Sequence, residues 1–278
     1  MFTKIFFGIG LLLAIALLGL AILRLRNEKE ISTKERSLEF PAGEIFTEDM
    51  VTALPAPAKR YFLHAIALET PLANSVRLKM NGSFKTRQDK PWLSMQATEI
   101  LSNKGFVWKA TIGRSLFQMI GTDCYINRAG RVQFALLGLL PLVNASNSNI
   151  NRSSIGRLAG EFVWLPSALL PQQGVDWRAI DDSTIQASLK IDGEPITLTL
   201  VIDPDGKLWK FSLPRWGDRS PDGSWAYIPF GGEVQAERSF DGFTIPSQVS
   251  AGWGYGTDSY FESFRAAIEL FKSSPPFT

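Results

Sequence analysis

Residues that could do chemistry are sparse in this sequence, and their spacing does not predict a catalytic site. His64 is the only histidine and Cys124 the only cysteine, so a soft-ligand site for zinc or iron is not expected. No G-x-S-x-G motif accompanies His64, which we interpret as a satisfied helix residue. Asp181 and Asp182 are adjacent, so on a strand they point to opposite faces, and a turn or capping role is favoured. We predict no catalytic residue, no metal and no cofactor.

Other carboxylates leave an enzymatic alternative open. Arg157 and Glu161 lie four residues apart, which predicts an ion pair on a helix, and we expect that pair to be solvated. A hydrolase acting on a glycan or lipid through Glu161, Asp181 or Glu233 is a further hypothesis. If it were a glycosidase, it would need two carboxylates facing one cleft roughly 5 to 9.5 Å apart. The sequence spacing gives no sign of such a pair.

Apolar and aromatic residues give a stronger signal in WLPSALLPQQGVDWRAIDD, residues 164–182. Proline fixes φ and removes a donor, so Pro166 and Pro171 pin an irregular segment whose apolar residues must be buried. The segment is either a lid over an apolar cavity or a plug within the core. Arg215, in PRWGDRSPDGSW, either contacts a phosphate-bearing headgroup or lies in an exposed hairpin loop. The predicted ligand-binding residues are Trp108, Trp164, Pro166, Leu169, Leu170, Trp177, Arg215 and Trp253.

The first thirty residues predict a membrane segment. Ile5 to Leu23 is free of charged residues, and a helix of that length spans roughly 30 Å, the hydrocarbon thickness of a bilayer. A cleavable signal peptide is the alternative, since Gly19-Leu20-Ala21 is a small-x-small site. The run is longer than a secretory core and ends in Arg24 and Arg26, which favours an uncleaved anchor. We predict a single-pass anchor over residues 1–30.

The remaining chain predicts a linker and one β-rich domain. Residues 31–45 are polar and aperiodic, and residues 46–278 form the domain. Short helices open it, and from Ser75 apolar residues alternate with period two. Asp-Gly pairs then separate β-rich runs as in a meander. Residues 131–171 break the strand period and predict a helical insertion, and YFESFRAAIELF fits helical spacing slightly better than a strand. We expect a curved antiparallel sheet, or half-barrel, covered by that insertion.

Charge excludes one class of partner. Four of the 29 Lys and Arg and two of the 27 Asp and Glu lie in residues 1–30, leaving 25 of each in the rest of the chain. A neutral domain lacks the basic excess of a nucleic-acid-binding protein, so nucleic acid is not an expected partner.

The single cysteine leaves no internal disulfide, and burial and hydrogen bonds must hold the fold.

The motifs themselves resemble a known family. Trp164-x-Pro166-x-Ala168-Leu169-Leu170-Pro171, Gly174-Val175-x-Trp177 and Asp181-Asp182 resemble a bacterial family of unknown function whose members often carry an N-terminal membrane segment. The resemblance runs from about Leu54 to Phe271 and implies no activity. The element order also resembles lipoprotein-carrier half-barrels, in which a curved sheet cradles acyl chains beneath helices. These resemblances imply that the domain lies on the extracytoplasmic side of the inner membrane.

Together these observations favour a non-catalytic function. We expect a protein anchored in the inner membrane that binds or carries an apolar ligand, such as a lipid or a lipoprotein acyl chain. The alternative is an envelope scaffold or interaction module whose core is filled by its own side chains.

Overall fold

The structure is a computed structural model that describes residues 2–220 and 222–273, apart from the side chains of most residues between 2 and 21. Three α-helices are present in that part of the chain: α1 (Phe2–Ser37), α2 (Ala56–Ala65) and α3 (Ser148–Glu161). Short 3₁₀ turns connect other elements, at Glu48–Val51, Ser115–Phe117, Phe162–Trp164, Pro166–Leu169 and Pro171–Gln173.

Thirteen strands form one antiparallel sheet. They are β1 (Ser75–Phe84), β2 (Leu93–Ser102), β3 (Gly105–Ile112), β4 (Met119–Ile126), β5 (Ala129–Leu136), β6 (Leu140–Ala145), β7 (Asp176–Ala179), β8 (Thr184–Ile191), β9 (Glu194–Ile202), β10 (Leu208–Gly217), β11 (Ala226–Phe240), β12 (Phe243–Trp253) and β13 (Phe261–Ser273). Their order is β6-β5-β4-β3-β2-β1-β13-β12-β11-β10-β9-β8-β7, so the first and last strands of the chain's meander pair in the middle of the sheet. The predicted mainly β fold with antiparallel pairing is confirmed.

The sheet must be strongly curved, because α3 packs on both halves of it. The helix contacts β4 and β5 on one side and β9 and β10 on the other. Strands lie about 4.8 Å apart, so β5 and β9 would be about 40 Å apart in a flat sheet. A helix of 14 residues is only about 20 Å long and about 10 Å wide. The sheet therefore curls around α3, which lies on its concave side, while its edge strands β6 and β7 remain unpaired with each other.

Hydrogen bonds between the two halves hold this curl at one end. The Tyr125 hydroxyl at the end of β4 donates to Asp192 Oδ2 in the β8–β9 turn at 2.5 Å. Arg128 Nε, in the β4–β5 turn, donates to the other oxygen of Asp192 at 2.9 Å. Asp192-Gly193 adopts the positive φ angles, 50° and 90°, that a tight hairpin needs, as predicted from the Asp-Gly pair. We call the other end of β4 and β5 the mouth end; its loops include residues 113–118 and 137–139.

Two sequence predictions of local structure were wrong. Residues 131–145, expected in the helical insertion, form most of β5 and all of β6, so the helical part begins only at Ser148. The run Leu136–Leu140 contains a tight turn with positive φ at Leu137 and Gly138, and this turn interrupts the alternation. YFESFRAAIELF forms strand β13 rather than a helix.

The N-terminal prediction is changed in part. The expected linker, residues 31–45, begins as helix, since α1 continues to Ser37 and buries Leu38 with Ile100 and Val107 on the convex face of the sheet. Within the described residues, no helix is long and apolar enough to cross a membrane. The predicted anchor falls largely on residues whose side chains lie outside that description.

Candidate functional site

A cavity of about 490 Å³ lies between α3 and the concave face of the sheet. Aromatic and aliphatic side chains dominate its walls, contributed by both halves of the sheet and by the segment after α3. Among them are Trp108, Ile112, Met119, Phe134, Val163, Trp164, Phe211, Phe230, Trp253 and Phe264. Its volume and apolar lining are typical of a small-molecule site. Of the residues that line it, Leu142, Val143 and Arg219 are exposed, so the cavity reaches the surface beside β6, near the mouth end, and beside the β10–β11 turn.

A larger groove of about 800 Å³ separates α1 from the convex face of the sheet. Long polar side chains of the outward-facing strand positions line much of it, including Lys79, Lys109 and Arg131. Water hydrates such groups well, so this groove lacks the dry apolar wall of the concave cavity. We therefore take the concave cavity as the candidate site.

The register of β2, β3 and β4 places three polar side chains side by side on the concave face of the sheet, which forms the floor of the cavity. Glu99 of β2 pairs with Trp108 of β3, which pairs with Asp123 of β4. Each occupies an inward-facing position of its strand, so the two carboxylates flank the indole ring on the buried face. Glu99 is 1% exposed and Trp108 4% exposed. Carboxylates at such positions need a partner, and α3 supplies it.

Arg157, on the buried face of α3, is that partner. Its Nε donates to Glu161 Oε1 and its Nη1 to Asp123 Oδ2, each at 2.7 Å. Nη2 lies 3.5 Å from Glu99 Oε1. Although burial acts to lower the pKa of Arg157, the carboxylates of Glu161, Asp123 and Glu99 raise it overall. The predicted Arg157–Glu161 pair is confirmed, but the expectation that it is solvated was wrong, because α3 packs this face onto the sheet.

The surroundings of Glu99 in this cluster oppose its ionisation. Its burial, and next the Glu161 carboxylate, raise the pKa of Glu99 well above its usual value, and the attraction of Arg157 offsets this only in part. Asp123 and Glu161 are the carboxylates that accept hydrogen bonds from Arg157. Since Asp123 and Glu161 are both held by one arginine, they are not a free acid and base. The cluster therefore does not favour the hydrolase hypothesis.

Arg215 supplies a second cation to the cavity, from β10. It follows Phe211 and Leu213 on the inward face of its strand, and its guanidinium lies 4.8 Å from the ring centroids of both Phe230 and Trp253. Its Cγ packs where a side chain on Gly156 of α3 would lie. Burial, and next the Arg157 charge, lower the pKa of Arg215 to about 10.

The hydrogen bonds of Arg215 leave its terminal nitrogens available. Nε donates to the Ser153 carbonyl oxygen at 3.2 Å. Among the residues described, no carboxylate forms an ion pair with Arg215, in contrast to Arg157. The indole Nε1 of Trp108 is a buried donor without an acceptor in the described part of the chain, and Asp123 Oδ1 is a buried acceptor without a donor. All three residues line the cavity.

The structure brings half of the predicted ligand-binding residues together. Trp108, Trp164, Arg215 and Trp253 line the cavity. Pro166, Leu169 and Leu170 do not line it and are buried in the core, and half-buried Trp177 packs against Tyr61 and Phe62 of α2.

The segment after α3 is thus a plug, with one end forming a cavity wall. Trp164 donates from Nε1 to the Pro246 carbonyl oxygen at 3.0 Å, and Trp177 donates to the Leu169 carbonyl oxygen at 2.9 Å. Both indoles therefore hold the segment in place. This burial and these hydrogen bonds favour the plug interpretation for residues 166–170, and the lid interpretation stays a prediction.

The other polar residues considered from sequence lie away from the cavity. Asp181 accepts from the backbone N–H groups of Ser183 and Thr184, which lowers its pKa and confirms the turn role. Glu233 lies on the exposed side of β11 near Lys210. His64 Nε2 lies 2.8 Å from Glu237 Oε2, as expected of a satisfied histidine.

Sequence reasoning missed Glu99 and Asp123 and misjudged Arg157. The signal was present in the alternation of strands β2 and β4. In LSMQATEIL, Glu99 follows Met95 and Ala97 on the apolar phase, and in MIGTDCYI, Asp123 shares its phase with Met119 and Tyr125. An acidic residue on an apolar phase predicts a buried cation opposite.

Comparisons with known proteins give a family and a coarse likeness. The family of unknown function DUF6544 matches residues 44–265. No curated protein matches the chain.

Three solved structures are similar to this chain at low identity. A LolA superfamily protein from Nitrosomonas europaea has a TM-score of 0.41 at 10% identity, over 80% of this chain and 94% of that one. A putative outer membrane lipoprotein-sorting protein domain from Vibrio parahaemolyticus has 0.39 at 9%, over 74% and 87%. A DUF1329 family protein from Desulfovibrio piger has 0.36 at 8%, over 74% and 88%. These scores are too low to support an argument about function.

Proposed function

The chain belongs to the DUF6544 family, whose function is unknown, and we propose that it binds an elongated apolar ligand, such as a lipid acyl chain, in its concave cavity. The observation that carries this proposal is the cavity itself, about 490 Å³ and walled mainly by aromatic and aliphatic side chains. Burial of apolar ligand surface there contributes about 25 cal/mol for each Å² removed from water. A scaffold with a self-filled core, the alternative, would close such a space with its own side chains.

Apolar residues continue from the cavity onto the outer surface at the mouth end. The turn between β3 and β4 joins Ile112 to Met119, both of which line the cavity. It exposes Leu116 and Phe117 by 72% and 80%. Leu140 and Leu142 of the edge strand β6 are exposed nearby. A contiguous exposed apolar rim of this kind is typical of a membrane or partner contact.

The direction of α1 supports a membrane contact at this end. Arg131, near the start of β5, lies 3.7 Å from Glu30, and Arg24 lies against Gly138 just after β5 ends. The helix therefore runs antiparallel to β5, and its N-terminal residues project beyond the mouth end. Phe7 is about 25 Å further along the helix axis than Arg24. We propose that this apolar helix lies in lipid, so that the cavity opens toward the bilayer.

Photocrosslinking of the full chain in lipid nanodiscs tests the proposed function. A p-benzoylphenylalanine in place of Phe134, on the cavity wall, is expected to give protein–lipid adducts detected by intact mass. The same group in place of Trp209, which is exposed on the other face of β10, serves as the control and should give fewer. The substitution Ala251→Phe fills the cavity. Added to the chain that carries p-benzoylphenylalanine at position 134, it should abolish the lipid adducts of that position. Equal adduct yields with and without Ala251→Phe would contradict ligand binding in the cavity.

A further inference from the structure

We propose that the ligand of this cavity carries an anionic head group, a carboxylate or a phosphate, that pairs directly with Arg215. This inference rests on the proposed function, because it concerns the polar end of the same apolar ligand. It commits to an amphiphile with one acyl or alkyl chain region and an acidic head.

The first step is the unpaired charge. Arg215 is held between Phe230 and Trp253 by cation–π contacts and is fixed from behind by the Ser153 carbonyl oxygen. Isolated charges are costly to bury, and buried cations are ordinarily paired. The neighbouring Arg157 meets that rule with direct bonds to two carboxylates, whereas Arg215 has no ion pair with any acidic residue described. A guanidinium facing an apolar cavity without a carboxylate is suited to a ligand anion.

The second step is the charge balance of the floor. Asp123 and Glu161 both bind Arg157 directly, so they balance Arg215 only from a distance. Coulomb attraction falls with separation, and direct contact with an anion would stabilise Arg215 more than these carboxylates do. Burial and the nearby Arg157 charge already disfavour the charged form of Arg215, which lowers the pKa of Arg215.

The third step concerns a second hydrogen-bond donor in the same cavity, the indole N–H of Trp108. Trp108 is 4% exposed, lines the cavity and has no acceptor for its Nε1–H among the residues described. A buried indole N–H without an acceptor loses the hydrogen bond that it makes in water, so such a group is ordinarily satisfied. An oxygen-rich head group would supply acceptors for Trp108 and for the terminal nitrogens of Arg215. A neutral hydrocarbon would satisfy neither.

The backbone around Arg215 is arranged to leave room for its side chain. A Cβ on Gly156 would lie 2.9 Å from Arg215 Cγ, so any larger residue on that turn of α3 would displace the arginine. The aliphatic part of Arg215 thus passes beneath α3, and its guanidinium reaches the aromatic wall.

A competition experiment in nanodiscs tests the head-group preference. The full chain carries p-benzoylphenylalanine in place of Phe134, and the neutral bilayer contains equal mole fractions of oleic acid and oleyl alcohol at a pH where the acid is ionised. Adduct masses then report which ligand occupied the cavity. We expect roughly tenfold or greater preference for the acid, since a charge-assisted hydrogen bond contributes about 1.5 to 3 kcal/mol. Replacing the acid with oleyl phosphate distinguishes a carboxylate ligand from a phosphate ligand.

Two variants make the result specific. Arg215→Met retains much of the side-chain volume without the charge and is expected to reduce the acid preference to about onefold while the alcohol still forms adducts, which reports that the cavity is intact. The matched control Arg238→Met removes an exposed arginine that packs over Phe240, does not line the cavity and should leave the ratio unchanged.

The outcomes separate the two proposals. Adducts of acid and alcohol in equal amounts, or an acid preference that survives Arg215→Met, would overturn the head-group inference and leave the proposed function standing. Absence of adducts with every ligand would overturn the proposed function itself.

Discussion

Glu99 occupies an inward position of β2, where burial raises its pKa, so its protonation is linked to folding. A group whose pKa is higher in the folded state than in the unfolded chain contributes stability at low pH. That contribution is lost as pH rises from the unfolded value of about 4.3 through the folded pKa. Gln mimics the neutral form of Glu99 at every pH, so the Glu99→Gln variant does not lose this stability as pH rises. We therefore expect the stability of Glu99→Gln relative to the parent to increase between acidic and neutral pH.

Denaturant unfolding of the full chain in mild detergent, followed by tryptophan fluorescence, measures this difference at several pH values. Glu44→Gln, at an exposed position before the sheet, is the control. A stability difference between Glu99→Gln and the parent that is the same at every pH would show that Glu99 does not take up a proton on folding.

Arg157 is expected to contribute more to stability than any surface ion pair of the chain. Arg157→Met leaves Asp123 and Glu161 buried without their cation, and removing one partner of a buried ion pair costs about 3 to 5 kcal/mol. Arg152→Met is the matched control on the same helix, since its pair with Glu194 is half-exposed and such pairs contribute about 0 to 1 kcal/mol. The free energy of unfolding measures both. Similar losses for the two variants would contradict the assignment of Arg157 as the cation of the buried cluster.

At the scale of elements, strand alternation was predictable where one face is buried and the register is regular. Strands β1 to β4 follow that pattern. Strand β13 does not, because Ser263 and Glu269 are extra residues at register shifts against β12 and β1. Bulges insert a residue and reset the period of two, so the apolar residues of β13 fell near helical spacing. The curl that joins β4 and β10 around α3 is a long-range contact, and no local pattern encodes it.

The plug segment gives a prediction at the same scale. Leu169 is fully buried in the core and does not line the cavity. Leu169→Ala is expected to cost about 2 to 5 kcal/mol of stability, as for other buried leucines, without changing the Phe134 lipid adduct. Trp164→Ala, which removes a cavity wall, should change the adduct yield as well. If Leu169→Ala reduced the adduct yield at a temperature where the protein remains folded, residues 166–170 would act as a lid after all.

At the scale of the whole molecule, the apolar rim, the cavity opening and the N-terminal half of α1 share one end of the sheet. This arrangement predicts that the rim contacts lipid and that ligand enters the cavity there. Leu116 and Phe117 are the most exposed residues of this rim, and replacing them with Asp removes apolar surface that would otherwise be buried in the bilayer. The double substitution Leu116→Asp with Phe117→Asp should therefore slow or abolish lipid entry without altering the fold.

The rate of adduct formation at position 134 after a photoreactive lipid is added to preformed nanodiscs measures that entry. We expect the double variant to be slower by about tenfold or more, as a loss of 1.4 kcal/mol at the rim would produce. Leu270→Asp is the control, since Leu270 is also an exposed leucine but lies toward the end of β13 away from the mouth end. Equal entry rates in the double variant, the control and the parent would mean that the ligand reaches the cavity by another route, and the exposed rim would then need a different partner. A slower rate in the double variant alone would place the cavity opening at the lipid surface, because only the residues at that end would then control access.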